Sequence, residues 1–246
     1  MYNYKMTVAY DGTRYKGWQS QKTTDETIQG KLEGILQKQM GYPVQVIGSG
    51  RTDAGVHAKG QVANFHLKES ADEEELLRIF NSYLPKDIAV LLVKRAGDRF
   101  HSRFSAIDKT YRYRIHTGIV PEVFERNYVY SHTDSLRLED MKKASEYLIG
   151  TKDFSSFCGN SHMKKSTVRS LYEIRFENTK NEIAIDYRGN SFLQNMARIL
   201  TGTLIEVGEG KKKPEDMAYI LEAKNRELAG FTAPAQGLTL LEVAYS

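Results

Sequence analysis

Gly48-Ser49-Gly50-Arg51-Thr52-Asp53-Ala54-Gly55-Val56-His57-Ala58-Lys59-Gly60 is the stretch around which the rest of the sequence is organised. It holds four of the chain's 19 glycines, and such a density indicates positive φ angles or a close approach of backbone. Alternating apolar residues on either side predict strands over Val44–Ser49 and Gln61–Leu67. The stretch is therefore predicted to be a loop that joins two strands.

The segments around this loop predict alternating strands and helices. Thr23 and Glu26 stand at the spacing of a capping box and predict a helix that runs to Met40. The acidic run Asp72–Glu75 predicts the start of a second helix, which Pro85 ends. Two more strands are predicted, over Lys5–Tyr10 and Ile88–Arg95. The first half thus has the β-α-β-β-α-β order of a ferredoxin-like unit.

The second half repeats this order of elements without repeating the residues. Its predicted strands cover Lys109–His116, Val168–Asn178, Glu182–Tyr187 and Leu238–Tyr245. Its predicted helices cover Leu138–Ile149, Phe192–Val207 and Pro214–Ala223. The predicted fold class is therefore α+β, with two ferredoxin-like halves at residues 1–105 and 106–246. We expect a cleft between the halves, since ligand sites often form at such places.

Composition excludes several classes of protein. Only Cys158 is available, which excludes a disulfide framework, and its spacing from the six His forms no zinc motif. No apolar stretch approaches the roughly 20 residues of a membrane span, and Met1–Lys5 does not begin a signal peptide. We expect a soluble, cytoplasmic protein. The net charge of +4 permits nucleic-acid binding without requiring it.

The glycine-rich loop carries the residues best suited to chemistry. Asp53 is its one carboxylate, among Arg51, His57 and Lys59. A neighbouring guanidinium is expected to keep the pKa of Asp53 low, so that the carboxylate is ionised and available as a nucleophile. His57 is expected to form hydrogen bonds within the loop rather than to act as a base. The alternative is a surface turn with solvated charges.

A second cluster combines basic and aromatic residues. Between Arg99 and His116 there are five Lys and Arg against the single acid Asp108. On a strand, Tyr111 and Tyr113 share one face, while Arg112 and Arg114 share the other. Basic groups bind phosphates and aromatic rings stack on unpaired bases, which favours RNA binding. The alternative is a sheet with a buried Tyr face and a solvated Arg face.

A third candidate segment is the predicted helix that contains Ser191–Arg198. Phe192 and Met196 are expected to face the core, whereas Arg198 and Gly202 lie on another stripe. Gly202 would allow a close approach, and Arg198 is either exposed to solvent or directed at Asp53. Another basic segment, His162-Met163-Lys164-Lys165, is predicted to be a loop that either contacts RNA or is solvated.

Taken together, these segments resemble the tRNA pseudouridine synthase A family nearly from end to end. The Arg-Thr-Asp-Ala-Gly-Val-His run that begins at Arg51 is highly specific to that family. The other similar motifs are Tyr10-Asp11-Gly12, Gly17–Gln21, Gly60-Gln61-Val62, Phe100–Ala106, Tyr111-Arg112-Tyr113 and Gly237-Leu238.

The resemblance implies a role for five residues. Asp53 would be the catalytic aspartate, and Arg51 would help to displace the target base. Tyr111 would contact the flipped uracil. Arg198 would form an ion pair with Asp53, and Leu238 would line the uracil pocket.

The resemblance also implies a fold and a reaction. The fold is the pseudouridine synthase fold, in which two ferredoxin-like halves form a continuous, mainly antiparallel sheet with a central cleft. The protein would be a homodimer whose basic clefts hold tRNA. The reaction is the isomerisation of uridine to pseudouridine at positions 38–40 of the anticodon arm, without a cofactor or a metal. Whether Asp53 attacks C1′ or assists loss of the C2′ proton is left open.

Two departures from the family pattern affect the expected substrate. Members usually have Met-Val-Arg where this chain has Met196-Ala197-Arg198, and many have a basic residue in place of Gln194. These differences raise the possibility of a paralogue with altered RNA contacts. Two other functions compete with isomerisation: a non-catalytic RNA-binding module, and a nucleoside hydrolase that needs a second carboxylate near Asp53.

Overall fold

The computed structural model describes residues 1–160 and 163–246, so His162 of the predicted basic loop lies outside the described residues. Two units are distinguished. Unit 1 consists of Met1–Ile107 and Leu240–Ser246, and unit 2 consists of Asp108–Thr239. None of the helices in the described ranges has the length and apolar character needed to cross a membrane.

Ten strands and five α-helices make up the described chain. The strands are β1 (Tyr2–Tyr10), β2 (Val46–Gly48), β3 (His57–Leu67), β4 (Ile88–Arg95), β5 (Ala106–His116), β6 (Tyr130–Ser131), β7 (Gly150–Asp153), β8 (Val168–Asn178), β9 (Glu182–Gly189) and β10 (Leu238–Tyr245). The helices are α1 (Ile28–Met40), α2 (Glu73–Tyr83), α3 (Leu138–Glu146), α4 (Met196–Gly208) and α5 (Asp216–Ala223). The predicted α+β class is confirmed.

Unit 1 has the predicted β-α-β-β-α-β order, with β10 added at one side. Its strand order is β4-β1-β3-β10, and β2 pairs with β3. β1 runs antiparallel to both β3 and β4. Alternate residues of β1, including Tyr4, Met6 and Val8, are fully buried, as are Leu32 and Leu36 of α1. The period of two in the strand and the apolar stripe in the helix therefore face one core.

The start of α1 differs from the predicted capping box. The N-cap is Thr27, whose side chain accepts a hydrogen bond from the Gly30 N–H at 3.3 Å. Thr23 and Glu26, the predicted pair, precede the helix, and Thr23 is exposed. α2 begins as expected, because the side chain of Asp72 accepts a hydrogen bond from the Glu75 N–H at 2.9 Å.

Unit 2 has the strand order β5-β9-β8-β7, and the short β6 lies parallel to β5. The β5/β9, β8/β9 and β7/β8 pairs are all antiparallel. Tyr113, Ile115, Ile185 and Tyr187 are fully buried on the β5/β9 pair. Both units are therefore built from mainly antiparallel sheet covered by helices, and the predicted hairpin of β8 and β9 is confirmed.

The helix predicted over Phe192–Val207 begins later than expected. Asn195 has φ 58°, in the left-handed region, so the α-helix starts at Met196 and Phe192 lies outside it. Met196 is buried as predicted, and Leu200 one turn further along is also buried. The close approach predicted at Gly202 is also present, because a Cβ there would collide with the Phe231 carbonyl oxygen.

The end of the chain belongs with the first unit. The sequence division placed all of 106–246 in the second half, whereas Leu240–Ser246 is part of unit 1. A Cβ at Gly60 would lie 2.5 Å from the Leu241 carbonyl oxygen, so β10 packs closely on β3. The Tyr245 hydroxyl also donates to the Ser102 carbonyl oxygen at 2.6 Å. These contacts between distant segments could not be read from local sequence.

Candidate active site

The glycine-rich loop of unit 1 is fixed by backbone hydrogen bonds, some of them from the segment around Trp18. It leaves β2 at Gly48 and enters β3 at His57. The Trp18 N–H donates to the Thr52 carbonyl oxygen at 3.0 Å, and the Val56 N–H donates to the Asp53 carbonyl oxygen at 3.1 Å. Gly55 has φ 79°, a conformation in which glycine avoids steric strain. The loop that carries Asp53 is therefore an ordered turn.

Buried polar side chains of β1 and β3 form hydrogen bonds to this loop. Gln61 is fully buried, and its amide oxygen accepts a hydrogen bond from the Ser49 hydroxyl at 2.7 Å. Its amide nitrogen donates to the Gly50 carbonyl oxygen at 3.0 Å. The Tyr10 hydroxyl lies 2.8 Å from Thr52 Oγ1. Gln61 of β3 thus holds the backbone before Arg51, and Tyr10 of β1 contacts the Thr52 side chain after it.

Burial also defines the protonation state within this network. It raises the pKa of Tyr10 well above the ordinary value for a tyrosine, and the hydrogen bonds to Thr52 and Gln61 only partly oppose that shift. Tyr10 therefore remains a neutral phenol at physiological pH. It supports the loop without adding a negative charge near Asp53.

His57 closes the other end of the loop. Its Nδ1 accepts a hydrogen bond from the Gly12 N–H at 3.0 Å and lies 3.2 Å from Asp11 Oδ1. A Cβ at Gly12 would collide with the Val56 carbonyl oxygen, so this position needs a glycine. His57 is 3% exposed. His57 is a hydrogen-bonding residue as predicted, but its partner Gly12 lies outside the glycine-rich loop.

Arg51 and Asp53 are both accessible on this support. The Arg51 side chain is exposed, and it forms no ion pair within residues 1–160 and 163–246. Asp53 is half-buried. An exposed guanidinium and a half-buried carboxylate therefore lie two residues apart on a fixed turn.

Tyr111, Arg198 and Leu238 lie in unit 2. Tyr111 is on β5, is 7% exposed, and packs edge-to-face on Phe192 with ring centroids 4.9 Å apart. Leu238 begins β10 and is 4% exposed. Phe192 was predicted to face the core from within a helix, and it instead contacts Tyr111 from the segment before α4.

Arg198 is positioned by hydrogen bonds of unit 2. Its Nε donates to the Ala233 carbonyl oxygen at 2.7 Å, and one Nη donates to Asn195 Oδ1 at 3.1 Å. The Ala233 N–H returns a hydrogen bond to the Arg198 carbonyl oxygen at 3.1 Å. The left-handed residue Asn195 therefore has a second role, because its side chain orients the guanidinium. The ion pair with Asp53 stays a prediction.

A model of the family described as tRNA pseudouridine synthase matches residues 6–105 and 144–246. The chain belongs to that family. Three relatives agree with this assignment. The tRNA pseudouridine synthase A of Bacillus sp. (strain KSM-64) is 45% identical over 245 residues. The tRNA pseudouridine synthase A 1 of Clostridium tetani (strain Massachusetts / E88) is 44% identical over 245 residues. Each of these two matches covers 100% of both chains. The tRNA pseudouridine synthase A of Bacillus pumilus (strain SAFR-032) is 44% identical over 243 residues, 98% of both chains.

The family membership expected from the sequence is thereby confirmed, and pseudouridine synthases are isomerases. The motif that holds Asp53 lies in the glycine-rich loop, which the hydrogen bonds of Gln61 and Tyr10 support. The individual roles of Asp53, Arg51, Tyr111, Arg198 and Leu238 stay predictions.

Sequence reasoning missed the residues that support the pseudouridine synthase motif. Gln61, Tyr10 and Tyr245 were recognised as motif or strand residues without a role. Tyr245 hydrogen-bonds the Ser49 side chain, and burial raises its pKa well above the ordinary value. One signal was available for Gln61, since a polar side chain on the buried face of a strand needs internal partners.

The arginines on the predicted Arg face of β5 neither bind phosphates freely nor are simply solvated, the two alternatives that the sequence left open. Arg112 forms two hydrogen bonds to the Asp186 carboxylate, at 2.7 and 2.8 Å, and a second ion pair, to Glu177, at 3.0 Å. Arg114 pairs in the same way with Glu182, at 2.8 Å, and with Glu125. The carboxylate neighbours raise the pKa of both guanidinium groups. These arginines link strands and are not available as free cations.

Among its described residues, unit 2 also contains one group that has the donor types of a metal site. The ligand atoms of His132, Asp134 and Glu209 lie within 4.8 Å of one another. The Lys211 ammonium is 2.7 Å from Glu209 Oε2, and this hydrogen bond raises the pKa of Lys211. A protein cation therefore already balances the most buried carboxylate of the group.

Proposed function

We propose that this protein isomerises uridine to pseudouridine in tRNA, at positions 38–40 of the anticodon arm. The observation that carries the proposal is the Asp53 turn, held by a buried network and flanked by an exposed arginine, in a chain that matches tRNA pseudouridine synthases over its full length. The choice of tRNA positions rests on the family resemblance.

The target uridine must leave the stacked helix before any group can reach its glycosidic bond. Extrusion of a nucleotide costs a few kcal/mol, so a side chain that occupies the vacated space favours the open state. Arg51 suits this role because it is exposed and free of ion pairs in the described residues. Its charge can also stay paired with phosphates after extrusion.

Asp53 would start the chemistry at the ribose. It either attacks C1′, or it assists the loss of the C2′ proton, and in both routes the C1′–N1 bond breaks. The detached uracil turns and forms a new bond from C5 to C1′, as the Asp53–C1′ bond breaks in the first route or the C2′ proton returns in the second. The C5 proton passes to solvent, and N1 takes up a proton from solvent. The product has the composition of the substrate, which is why no cofactor is needed.

Tyr111, Leu238 and Arg198 would serve the detached base and the aspartate. Tyr111 and Leu238 are nearly buried, so they can form apolar walls that keep water from the freed uracil. Arg198 is oriented by Asn195 and Ala233, and its proposed partner is the Asp53 carboxylate. An ion pair would keep Asp53 ionised until it reacts.

Tritium release tests the reaction directly. An unmodified tRNA transcript labelled with [5-³H]uridine should release tritium to water with the wild type and not with Asp53→Ala. Asp25→Asn, at an exposed carboxylate, is the matched control and should retain full activity. Transcripts with cytidine at 38, 39 and 40 should release nothing.

Other outcomes separate the competing functions. Full activity of Asp53→Ala would refute the role of Asp53. Salt-dependent tRNA binding without tritium release would indicate an RNA-binding module, and free uracil as the product would indicate a hydrolase. Sedimentation of the protein alone tests the homodimer, and fractionation of cells tests the cytoplasmic location; both stay predictions.

A further inference from the structure

The segment between β4 and β5, residues Gly97–Ser105, is an ordered loop that we call the Phe104 loop. Asn3 Nδ2 donates to the carbonyl oxygens of Gly97 and Phe100, each at 2.9 Å. The Ser102 N–H donates to Asn64 Oδ1 at 2.9 Å, and the Ser102 hydroxyl donates to the Ile47 carbonyl oxygen at 2.5 Å. The loop is thus fastened to β1, β2 and β3.

The tip of the loop is shaped by His101. Its Nδ1 accepts hydrogen bonds from the N–H groups of Arg103, at 3.1 Å, and Phe104, at 3.4 Å. The Ser105 N–H donates to the His101 carbonyl oxygen at 2.9 Å, which closes the turn. The imidazole ring then lies against the Phe104 ring, with centroids 4.3 Å apart and planes 34° apart.

This arrangement presents an aromatic ring to solvent. Phe104 is 79% exposed although His101 packs against it. A ring that is held in place and left uncovered can stack on a flat face of a ligand. The ordering of the loop has already fixed the ring, so a ligand would lose little further conformational entropy at this point.

The charges beside the ring favour a nucleotide. Arg99 and Arg103 are exposed, and neither forms an ion pair in the part of the chain that the structure describes. Asp98 is the only acid of the Phe104 loop. An aromatic ring next to free guanidinium groups matches the base and phosphate of an unpaired nucleotide.

The residues that hold the Phe104 loop also contact the glycine-rich loop or the strand that leads into it. Tyr245 donates to the Ser102 carbonyl oxygen and hydrogen-bonds the Ser49 side chain. Ile47, which accepts from Ser102, lies on the strand that leads into the Asp53 turn. A base on Phe104 would therefore be held at a fixed position relative to Asp53.

We propose that Phe104 is a stacking site for a second, non-target base of tRNA, an unpaired nucleobase whose phosphate contacts Arg103. The proposal rests on the proposed function, since it names part of the RNA surface that would position the target uridine. The Phe104 ring would act through substrate placement and not in the chemical step.

A second exposed phenylalanine provides the matched control. Phe124 of unit 2 is 89% exposed, and two carboxylates, Glu122 and Glu125, flank it against the single cation Arg126. The N–H groups of Phe124 and Glu125 donate to the Glu122 carboxylate, and Glu125 is paired with Arg114. The carboxylates beside this ring repel phosphates, so this position should not bind RNA.

The experiment compares Phe104→Ala, Phe104→Trp and Phe124→Ala in the full chain. The dissociation constant for an unmodified tRNA transcript should rise about 5- to 150-fold in Phe104→Ala, the change that corresponds to about 1–3 kcal/mol for one base–aromatic stack. Phe104→Trp should bind like the wild type, and so should Phe124→Ala. Anticodon-arm hairpins with 2-aminopurine at one loop position at a time should show one position whose fluorescence is quenched by the wild type and not by Phe104→Ala.

Several results would overturn the proposal. One is a dissociation constant of Phe104→Ala for tRNA that lies within twofold of the wild-type value. Another is an equal rise of the dissociation constant in Phe124→Ala. A change in sedimentation of Phe104→Ala without RNA would assign the ring to an interface between two copies instead. Absence of tritium release from the wild type would refute the proposed function, while the comparison of dissociation constants would still test the stacking site.

Discussion

Gln61 is the residue on which the glycine-rich loop that carries Asp53 depends most directly. Its amide satisfies the Ser49 hydroxyl and the Gly50 carbonyl oxygen, on the two residues that precede Arg51. A buried hydrogen-bonding group without a partner costs about 1–3 kcal/mol. A small displacement of reacting groups lowers the rate steeply, because catalysis needs a narrow geometry.

Gln61→Leu should therefore impair both stability and turnover. We expect the free energy of unfolding to fall by about 1–3 kcal/mol, and kcat to fall by about 10- to 100-fold with a smaller change in KM. Urea denaturation and tritium release measure the two quantities. Gln37→Leu, on the exposed face of α1, should change neither. A Gln61→Leu variant that loses stability but keeps the wild-type kcat would contradict the positioning role.

Arg112 and Arg114 show that local sequence does not determine the ion-pair partners of a side chain. Alternation along β5 placed their side chains on one face, as observed. Their carboxylate partners lie mainly on β8 and β9, which are up to 74 residues away, and were therefore invisible to local patterns. Asp53 could be singled out because glycine density and charge are properties of one contiguous segment.

Among the elements, α1 offers a test of helix capping. Thr27 Oγ1 accepts from the Gly30 N–H, and loss of an N-cap hydroxyl typically costs about 0.5–2 kcal/mol. We expect Thr27→Ala to lower the free energy of unfolding by about 1 kcal/mol. Thr27→Ser should retain most of the stability, because it keeps the hydroxyl.

The comparison with Thr23 decides between the two caps. Thr23→Ala alters the residue that the capping-box spacing predicted and should shift the urea midpoint very little, since the side chain is exposed. A larger effect at Thr23 than at Thr27 would restore the predicted cap. The m-value should stay constant across the series, so that the midpoints report stability.

The elements that local sequence predicted well are those with a strong pattern along their whole length. β4, β8 and β10 have the predicted bounds, Ile88–Arg95, Val168–Asn178 and Leu238–Tyr245. β6 and β7, with two and four residues, are too short for a period to be recognised. The start of α4 depends on the left-handed backbone of Asn195, which apolar periodicity does not report.

For the whole molecule, the distribution of free cations matters more than the net charge of +4. Arg112 and Arg114 count toward that total, but carboxylates neutralise them within unit 2. Exposed basic residues without an ion pair in the described chain include Arg51, Lys59, Arg99 and Arg103 of unit 1 and Lys143, Arg175 and Lys180 of unit 2. We infer that the salt dependence of tRNA binding arises largely from this second group.

Each phosphate contact releases counterions, so the logarithm of the binding constant falls linearly with the logarithm of salt concentration. Removing one contact should reduce that slope by about 1. We expect this reduction for Arg103→Gln. Arg112→Gln should lower thermal stability, because it leaves Asp186 without its main partner, and should keep the wild-type slope. Titrations between about 50 and 200 mM salt, well below the melting temperature of each variant, measure the slopes. Equal reductions in both variants would place RNA phosphates on β5 and would contradict the division of charge between paired and free arginines.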